Sequence, residues 1–221
     1  MTIHSSRVAI LALLLVSVIW GAEFVLIDLA VAEIPTHTFN ALRFALAAVS
    51  LLPLWWFSRQ QATPASDTPY SYRALLGAGL LLGFLLFIGF YTQTEGLRYT
   101  TVSNAGFITG LNVPLVPLLG FILFRSAVSN AVWLGIIIST TGLYLLTLGG
   151  SLALNDGDLL VLICAFAFAS HIVLTGRWIK QLPILPLSII QLFAVALYSS
   201  TAAWLSPEPA FYHVAATPIG W

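Results

Sequence analysis

The sequence predicts an all-α integral membrane protein, a multi-span helical bundle, and three observations carry this prediction. First, 59% of the 221 residues are hydrophobic and only 7% are charged, whereas soluble domains carry about 25% charged residues. Second, seven apolar stretches have about the 20 residues that a helix needs to cross the bilayer. Third, runs such as Leu80–Ile88 lack the strict alternation of a membrane β-strand.

The same composition excludes several classes of protein. So few charged residues could not cover the surface of a soluble enzyme, and a formal net charge of zero leaves no basic face for nucleic acid. The single cysteine, Cys164, excludes a disulfide framework and a cysteine-based metal cluster. No metal or cofactor is expected, and the lipid bilayer is the first predicted partner.

The first span, Val8–Ile27, follows Arg7 and is longer than the apolar region of a usual signal peptide. Its end, Trp20–Phe24, offers no small-residue cleavage site, so we predict that the span is retained. Ser58–Tyr72 is polar and typical of a flexible loop. We expect an eighth span to begin near the end of the tail, Phe211–Trp221. The six other spans are predicted at Thr38–Phe57, Ala74–Thr92, Tyr99–Phe124, Ala131–Leu148, Leu159–Gly176 and Pro183–Leu205.

The charges of the loops predict that the N-terminus is cytoplasmic. In that orientation the inner loops carry six Lys and Arg residues and the outer loops carry only Arg98, as the positive-inside rule requires. Acidic residues have the opposite distribution, with only Asp67 inside. The inner bases are Arg7, Arg59, Arg73, Arg125, Arg177 and Lys180. The outer acids are Asp28, Glu33, Glu95, Asp156, Asp158 and Glu208. Because Asp156 and Asp158 lie at a span boundary, we interpret them as a loop and helix start.

Glycines and prolines mark the third and fourth spans. The pairs Gly79/Gly83 and Gly106/Gly110 form faces of small residues that permit close contact between helices. In the fourth span, Pro114 and Pro117 each remove a backbone donor. Within a membrane such irregular backbone is tolerated only beside protein or a water-filled cavity. The fourth span is therefore predicted to line a cavity, with helix packing alone as the alternative.

An internal repeat is predicted at an offset of 148 residues, which aligns the boundaries of the matched spans. It divides the chain into a first five-helix repeat, 1–150, and a partial second repeat, 156–221. An odd number of spans inverts the second copy, and inverted repeats are typical of secondary transporters. Coincidence among leucine-rich helices is the alternative. With only two spans of the second repeat present, we expect a C-terminal truncation of about 70–80 residues. Matched positions include Glu23 with His171, Arg43 with Gln191, Pro35 with Pro183 and Trp56 with Trp204.

Two charged residues lie inside predicted spans, where a charge costs about 2.5–3.5 kcal/mol and is usually functional or paired. Glu23 is four residues from the outer end of the first span, and Arg43 is five residues into the second. At about 1.5 Å per residue, both lie at a similar depth and could meet. We predict that they face a central cavity and bind substrate or a proton. A structural ion pair and outward snorkelling of Arg43 are the alternatives.

Polar residues of other spans complete the predicted site. His171 can carry a proton near neutral pH, although a lone histidine is more often a packing residue. Gln191 is a neutral residue at the position that mirrors Arg43. The remaining candidates for the cavity wall are Trp20, Asn104, Thr109 and Asn112.

Several of these segments resemble the EamA-type branch of the drug/metabolite transporter superfamily. The resembling segments are Ile19–Phe24, Phe39–Phe44 and Glu95–Thr101, followed by Asn104–Ile108 and Pro114. The resemblance covers essentially the whole chain, and the order and spacing of these segments are more specific than any one of them. It implies a ten-helix fold of two inverted five-helix repeats.

The resemblance implies a secondary transporter of the plasma or inner membrane that exports amino acids or other small metabolites, often with proton coupling. Its alternating access would expose the cavity to each side in turn, and we hypothesise that Glu23 carries the proton. A multidrug or organic-cation efflux carrier is the first alternative. The second alternative is a non-transporting assembly subunit. In that case the chain would form a homodimer that covers the open side of its incomplete second repeat. No Gly-x-Ser-x-Gly sequence occurs, so an enzyme is not predicted.

Overall fold

The computed structural model describes residues 6–61, 70–148 and 155–206. Regular structure in these residues is entirely helical, as predicted, because helices satisfy their own backbone polar groups in hydrocarbon. The eight helices are α1 Ser6–Val31, α2 Thr36–Gln61, α3 Tyr72–Gly96, α4 Val102–Gly110, α5 Asn112–Phe124, α6 Asn130–Leu148, α7 Asp156–Trp178 and α8 Ile184–Leu205.

Six spans long and apolar enough to cross a membrane are confirmed among the described residues. They are α1, α2, α3, α4 with α5, α7 and α8, and they coincide with predicted spans one to four, six and seven. The predicted fifth span falls on α6, whose apolar part Asn130–Gly142 is shorter, so a seventh span stays a prediction. The predicted start of an eighth span, Phe211–Trp221, and two loop acids, Asp67 and Glu208, lie outside the described residues.

The fourth span is interrupted at Leu111, where α4 ends and α5 begins. Pro114 lies in the first turn of α5, where a missing N–H removes no intrahelical hydrogen bond. Leu111 keeps right-handed helical angles, with φ −60° and ψ −18°. The chain therefore keeps a helical conformation through the interruption, and α4 and α5 together form one span, Val102–Phe124.

Helix α3 lies at the centre of the packing, since it contacts both α7 and α8, while α2 packs against α8. Its glycines allow the close approach of α8. A Cβ atom at Gly83 would lie 2.8 Å from the carbonyl oxygen of Gln191, and one at Gly79 would lie 2.9 Å from Cβ of Ile190. The close contact predicted at Gly79 and Gly83 is thus confirmed.

The face that carries Gly106 and Gly110 makes no such close contact with the described residues. A Cβ atom at either glycine would have no atom of residues 6–61, 70–148 or 155–206 within 4 Å. The side chains that α4 buries are Ala105, Ile108 and Thr109, so the packed face of the helix is not the face that carries the two glycines.

Helix α7 begins with a capping box, which confirms the helix start predicted at Asp156–Asp158. Asp158 donates its backbone N–H to the Asn155 side chain, and its carboxylate accepts the Asn155 N–H. The Asp158 carboxylate is 3% exposed and also accepts hydrogen bonds from the Thr100 hydroxyl at 2.5 Å and the Asn104 amide at 3.5 Å. These hydrogen bonds therefore connect the start of α7 to the junction between α3 and α4.

Candidate functional site

A cavity of about 290 Å³ lies among α1, α3, α4, α5 and α7. Most of its wall is apolar, with four aromatic rings and a few polar side chains, the composition common to small-molecule sites. Its ionisable lining residues are Glu23 and His171. No group of three or more metal-ligating side chains occurs in the part of the chain that the structure describes. The wall consists of Trp20, Glu23, Phe24, Ile27, Leu86, Phe90, Gln93, Thr109, Asn112, Phe168, His171 and Ile172.

Five of the eight residues predicted for the site line this cavity: Trp20, Glu23, Thr109, Asn112 and His171. Two others, Arg43 and Gln191, do not line the cavity, but each forms a hydrogen bond with a residue that does. The eighth, Asn104, is not in the wall. Its amide contacts Asp158 at the start of α7 instead.

Glu23 and Arg43 form an ion pair, so the contact predicted from their similar depth is confirmed. Nη1 of Arg43 donates to Oε1 of Glu23 at 3.0 Å. The Arg43 side chain is 18% exposed and that of Glu23 is 40% exposed. The carboxylate therefore faces the cavity, and the guanidinium lies behind it.

Aromatic rings hold the other side of the Arg43 guanidinium. Its Cζ lies 4.7 Å from the ring centre of Phe90, 4.8 Å from Phe44 and 5.2 Å from Phe39. Nε and Nη2 are buried and have no hydrogen-bond partner in the part of the chain that the structure describes, so these rings and Glu23 together compensate the charge. Phe90 also belongs to the cavity wall, which links the ion pair to the binding surface.

His171 and Gln191 form a second polar pair, of which His171 lines the cavity. Nε2 of His171 donates to Oε1 of Gln191 at 2.9 Å, and the Thr175 hydroxyl lies 3.4 Å from the same nitrogen. The two residues are 20 positions apart, as are Glu23 and Arg43. Each member of one pair is 148 residues from its counterpart in the other, the offset of the predicted repeat.

Sequence reasoning missed seven lining residues, among them Gln93. Gln93 is 5% exposed and donates its amide to the Thr109 hydroxyl at 3.3 Å, which ties α3 to α4 at the cavity. A run of three polar residues, Thr92–Thr94, within an apolar span was the available signal. The six apolar residues, including Phe24, Phe90 and Phe168, gave no signal, because phenylalanines are common throughout the spans.

The chain matches the model of the EamA-like transporter family over residues 7–148. It is 30% identical over 87% of its length to an uncharacterized transporter of Archaeoglobus fulgidus. It is 28% identical over 75% of its length to the uncharacterized inner membrane transporter YedA of Escherichia coli, and 28% identical over 87% to the uncharacterized transporter YyaM of Bacillus subtilis.

The chain covers 57%, 52% and 66% of the lengths of these three relatives, respectively. No solved structure matches it. The family match extends over more than half of the chain and includes both residues of the Glu23–Arg43 ion pair. The chain therefore belongs to the EamA-like transporter family.

Proposed function

We propose that the chain forms part of a secondary-active transporter that exports amino acids or other small metabolites in exchange for protons. The observation that carries this proposal is the cavity, in which a partly exposed ion pair lies beside four aromatic rings. Membership of a transporter family and the names of the relatives support it. Nothing in the cavity suggests a nucleophile with its activating base, so catalysis is not part of the proposal.

The chemistry of the wall favours an amphipathic substrate that bears an amine. Oε1 of Glu23 accepts from Arg43, which leaves Oε2 for the ammonium group of a substrate. Trp20, Phe24 and Phe168 provide an apolar surface for the rest of the molecule. A zwitterion fits better than a simple cation, because the ion pair is already neutral and a zwitterion adds no net charge to a poorly solvated site.

The proposed mechanism is alternating access by two inverted five-helix repeats in the plasma or inner membrane, with a cytoplasmic N-terminus. The 148-residue relation between the two polar pairs supports it. So do the helix bounds, since α2 begins at Thr36 and α8 at Ile184, which are also 148 residues apart. The seventh span, the positive-inside orientation and the division at residues 1–150 and 156–221 belong to this proposal.

Export from cells that express the full chain tests the proposal. The cells are preloaded with labelled leucine, phenylalanine or tetraphenylphosphonium, and efflux is compared for wild type and Glu23→Gln. Asp28→Asn is the matched control, because Asp28 is an exposed acid on the same helix. Amino-acid efflux that Glu23→Gln reduces and Asp28→Asn leaves unchanged supports the proposal.

A second candidate, an organic-cation carrier, is favoured by the same aromatic rings, which attract cations through their faces. Export of tetraphenylphosphonium without amino acids would select it. No export of any probe would instead favour the assembly subunit or homodimer, and the proposed transport function would be wrong.

A further inference from the structure

Two ionisable side chains line the cavity, and they have different surroundings. Glu23 contacts a guanidinium at 3.0 Å, and that guanidinium has no other hydrogen-bond partner among the described residues. His171 contacts the neutral side chains of Gln191 and Thr175. The proton of a coupled transporter must bind and leave once in each cycle, so the two surroundings decide which residue suits it.

Protonation of Glu23 would leave the charge of Arg43 buried without its counter-ion, which is strongly unfavourable. Protonation of His171 breaks no ion pair. Its Nε2–H already donates to Oε1 of Gln191, so the incoming proton binds Nδ1, and the amide oxygen stabilises the resulting imidazolium. These contacts oppose the sequence-based hypothesis that Glu23 carries the proton.

We propose that His171 is the proton-binding residue of the transport cycle and that Gln191 is its positioning residue. The proposal rests on the proposed function and deepens it. Gln191 fixes the tautomer and the orientation of the imidazole through the 2.9 Å contact from α8 to α7. One N–H bond forms at Nδ1 when a proton enters from one side of the membrane, and the same bond breaks when the proton leaves to the other side.

The location of His171 explains how a proton could drive export. An imidazolium and a substrate ammonium would bring two positive charges into one cavity of about 290 Å³. Their repulsion in a poorly solvated site makes the two binding events competitive. Entry of a proton from outside therefore displaces the amine outward, and loss of the proton inside restores the site.

The titratable residues of the helices around His171 determine which other charges could affect its protonation. Helices α4 and α5 carry no titratable residue. Glu23 of α1 is the one acid in the cavity wall, and it is already paired. The remaining titratable groups of the surrounding described helices are Asp28 on α1, Tyr72, Arg73, Tyr91 and Glu95 on α3, Asp156, Asp158, Cys164 and Arg177 on α7, and Tyr198 on α8.

Nitrogen-15 NMR of the full chain in nanodiscs, with labelled histidine, tests the proton site without any substrate. The chain has four histidines, and His171→Asn identifies the signal of His171. We expect this signal to change to that of an imidazolium as the pH is lowered. A His171 signal that does not change between about pH 4 and 9 would overturn the proposal.

Two substitutions of Gln191 test its positioning role in opposite directions. Gln191→Glu places a carboxylate on the imidazole and should move the titration midpoint up by about 1–3 pH units. Gln191→Leu removes the acceptor and should move it down by about 0.5–1 unit. The His37 signal is the control, because His37 packs against Tyr91 on α3. A midpoint of His171 that neither substitution moves would contradict the role of Gln191.

Transport then separates the proton site from the function. In proteoliposomes, His171→Asn should abolish leucine movement driven by a pH gradient, whereas wild type and Asp28→Asn should retain it. Normal gradient-driven movement by His171→Asn would overturn the proton site and leave the transport function standing. If wild type moves no probe, the proposed function fails, whereas titration of His171 would still support a proton-binding site.

Discussion

Loss of one partner of the Glu23–Arg43 pair should cost more than loss of both. Two unit charges 3.0 Å apart attract by about 5 kcal/mol at an effective dielectric constant of about 20. The loss of stability on substitution should be smaller than this attraction. Glu23 is 40% exposed to its surroundings, and aromatic rings also contact the charge of Arg43. We therefore expect Glu23→Gln or Arg43→Gln to lower the free energy of unfolding by about 2–3 kcal/mol each, because each leaves an unpaired charge.

The double substitution replaces the ion pair with two amides, which resembles the neutral pair that His171 and Gln191 form 148 residues later. We expect it to cost no more than about 1–2 kcal/mol, since neither amide carries a charge. A double-mutant cycle would then give a coupling energy of about 3 kcal/mol. The assay is SDS-induced unfolding in mixed micelles, followed by circular dichroism.

Asp28→Asn is the control for a general effect of removing an acid from α1. A coupling energy below about 0.5 kcal/mol, the value typical of exposed pairs, would refute the reasoning. It would mean that water, lipid headgroups or the aromatic rings compensate both charges independently. The ion pair would then have no structural role, and its function would have to be argued from substrate binding alone.

Three further predictions use other parts of the fold. Gly83→Leu should lower the free energy of unfolding by about 1–3 kcal/mol because α8 is too close, whereas Gly77→Leu, with open space around it, should change it by less than about 0.5 kcal/mol. Asp158→Ala should cost about 2–3 kcal/mol in the same unfolding assay through the lost cap and charged hydrogen bonds, and Asp156→Ala should cost under about 1 kcal/mol. Cys164, which is 0% exposed, should react with maleimide only after SDS unfolding, as mass spectrometry would detect.

The helices could be predicted from the sequence because each apolar run must satisfy its backbone internally in hydrocarbon. The close contact at Gly79 and Gly83 was predictable for the same kind of reason, since small residues allow backbones to approach. The same pattern at Gly106 and Gly110 permits a contact that the described part of the chain does not make. A glycine pair indicates only that a helix could approach, and the tertiary packing decides which face of α4 meets a neighbour.

The polar residues of the cavity wall could be predicted from the sequence because they interrupt apolar spans. The apolar residues of the wall could not, because they resemble the rest of each span. Glu23 and His171 stood out as polar residues within spans, and both line the cavity. Asn104 is also a polar residue within a span, but its side-chain amide donates a hydrogen bond to the Asp158 carboxylate and does not line the cavity. Phe90 could not be chosen from sequence, because its role depends on a position between Arg43 and the cavity that only packing creates.

The two polar pairs connect these observations. They occupy corresponding positions at an offset of 148 residues, so a common architecture would place each between the same two helices of its half. Their chemistry differs: one pair has two fixed charges, and the other has a group that can gain a charge. A transporter that exchanges a proton for an amine needs both properties in one cavity. In the proposed mechanism the Glu23 carboxylate binds the amine, and His171 gains the charge that repels it. Divergence of the two pairs within one architecture therefore suits proton exchange better than two identical pairs would.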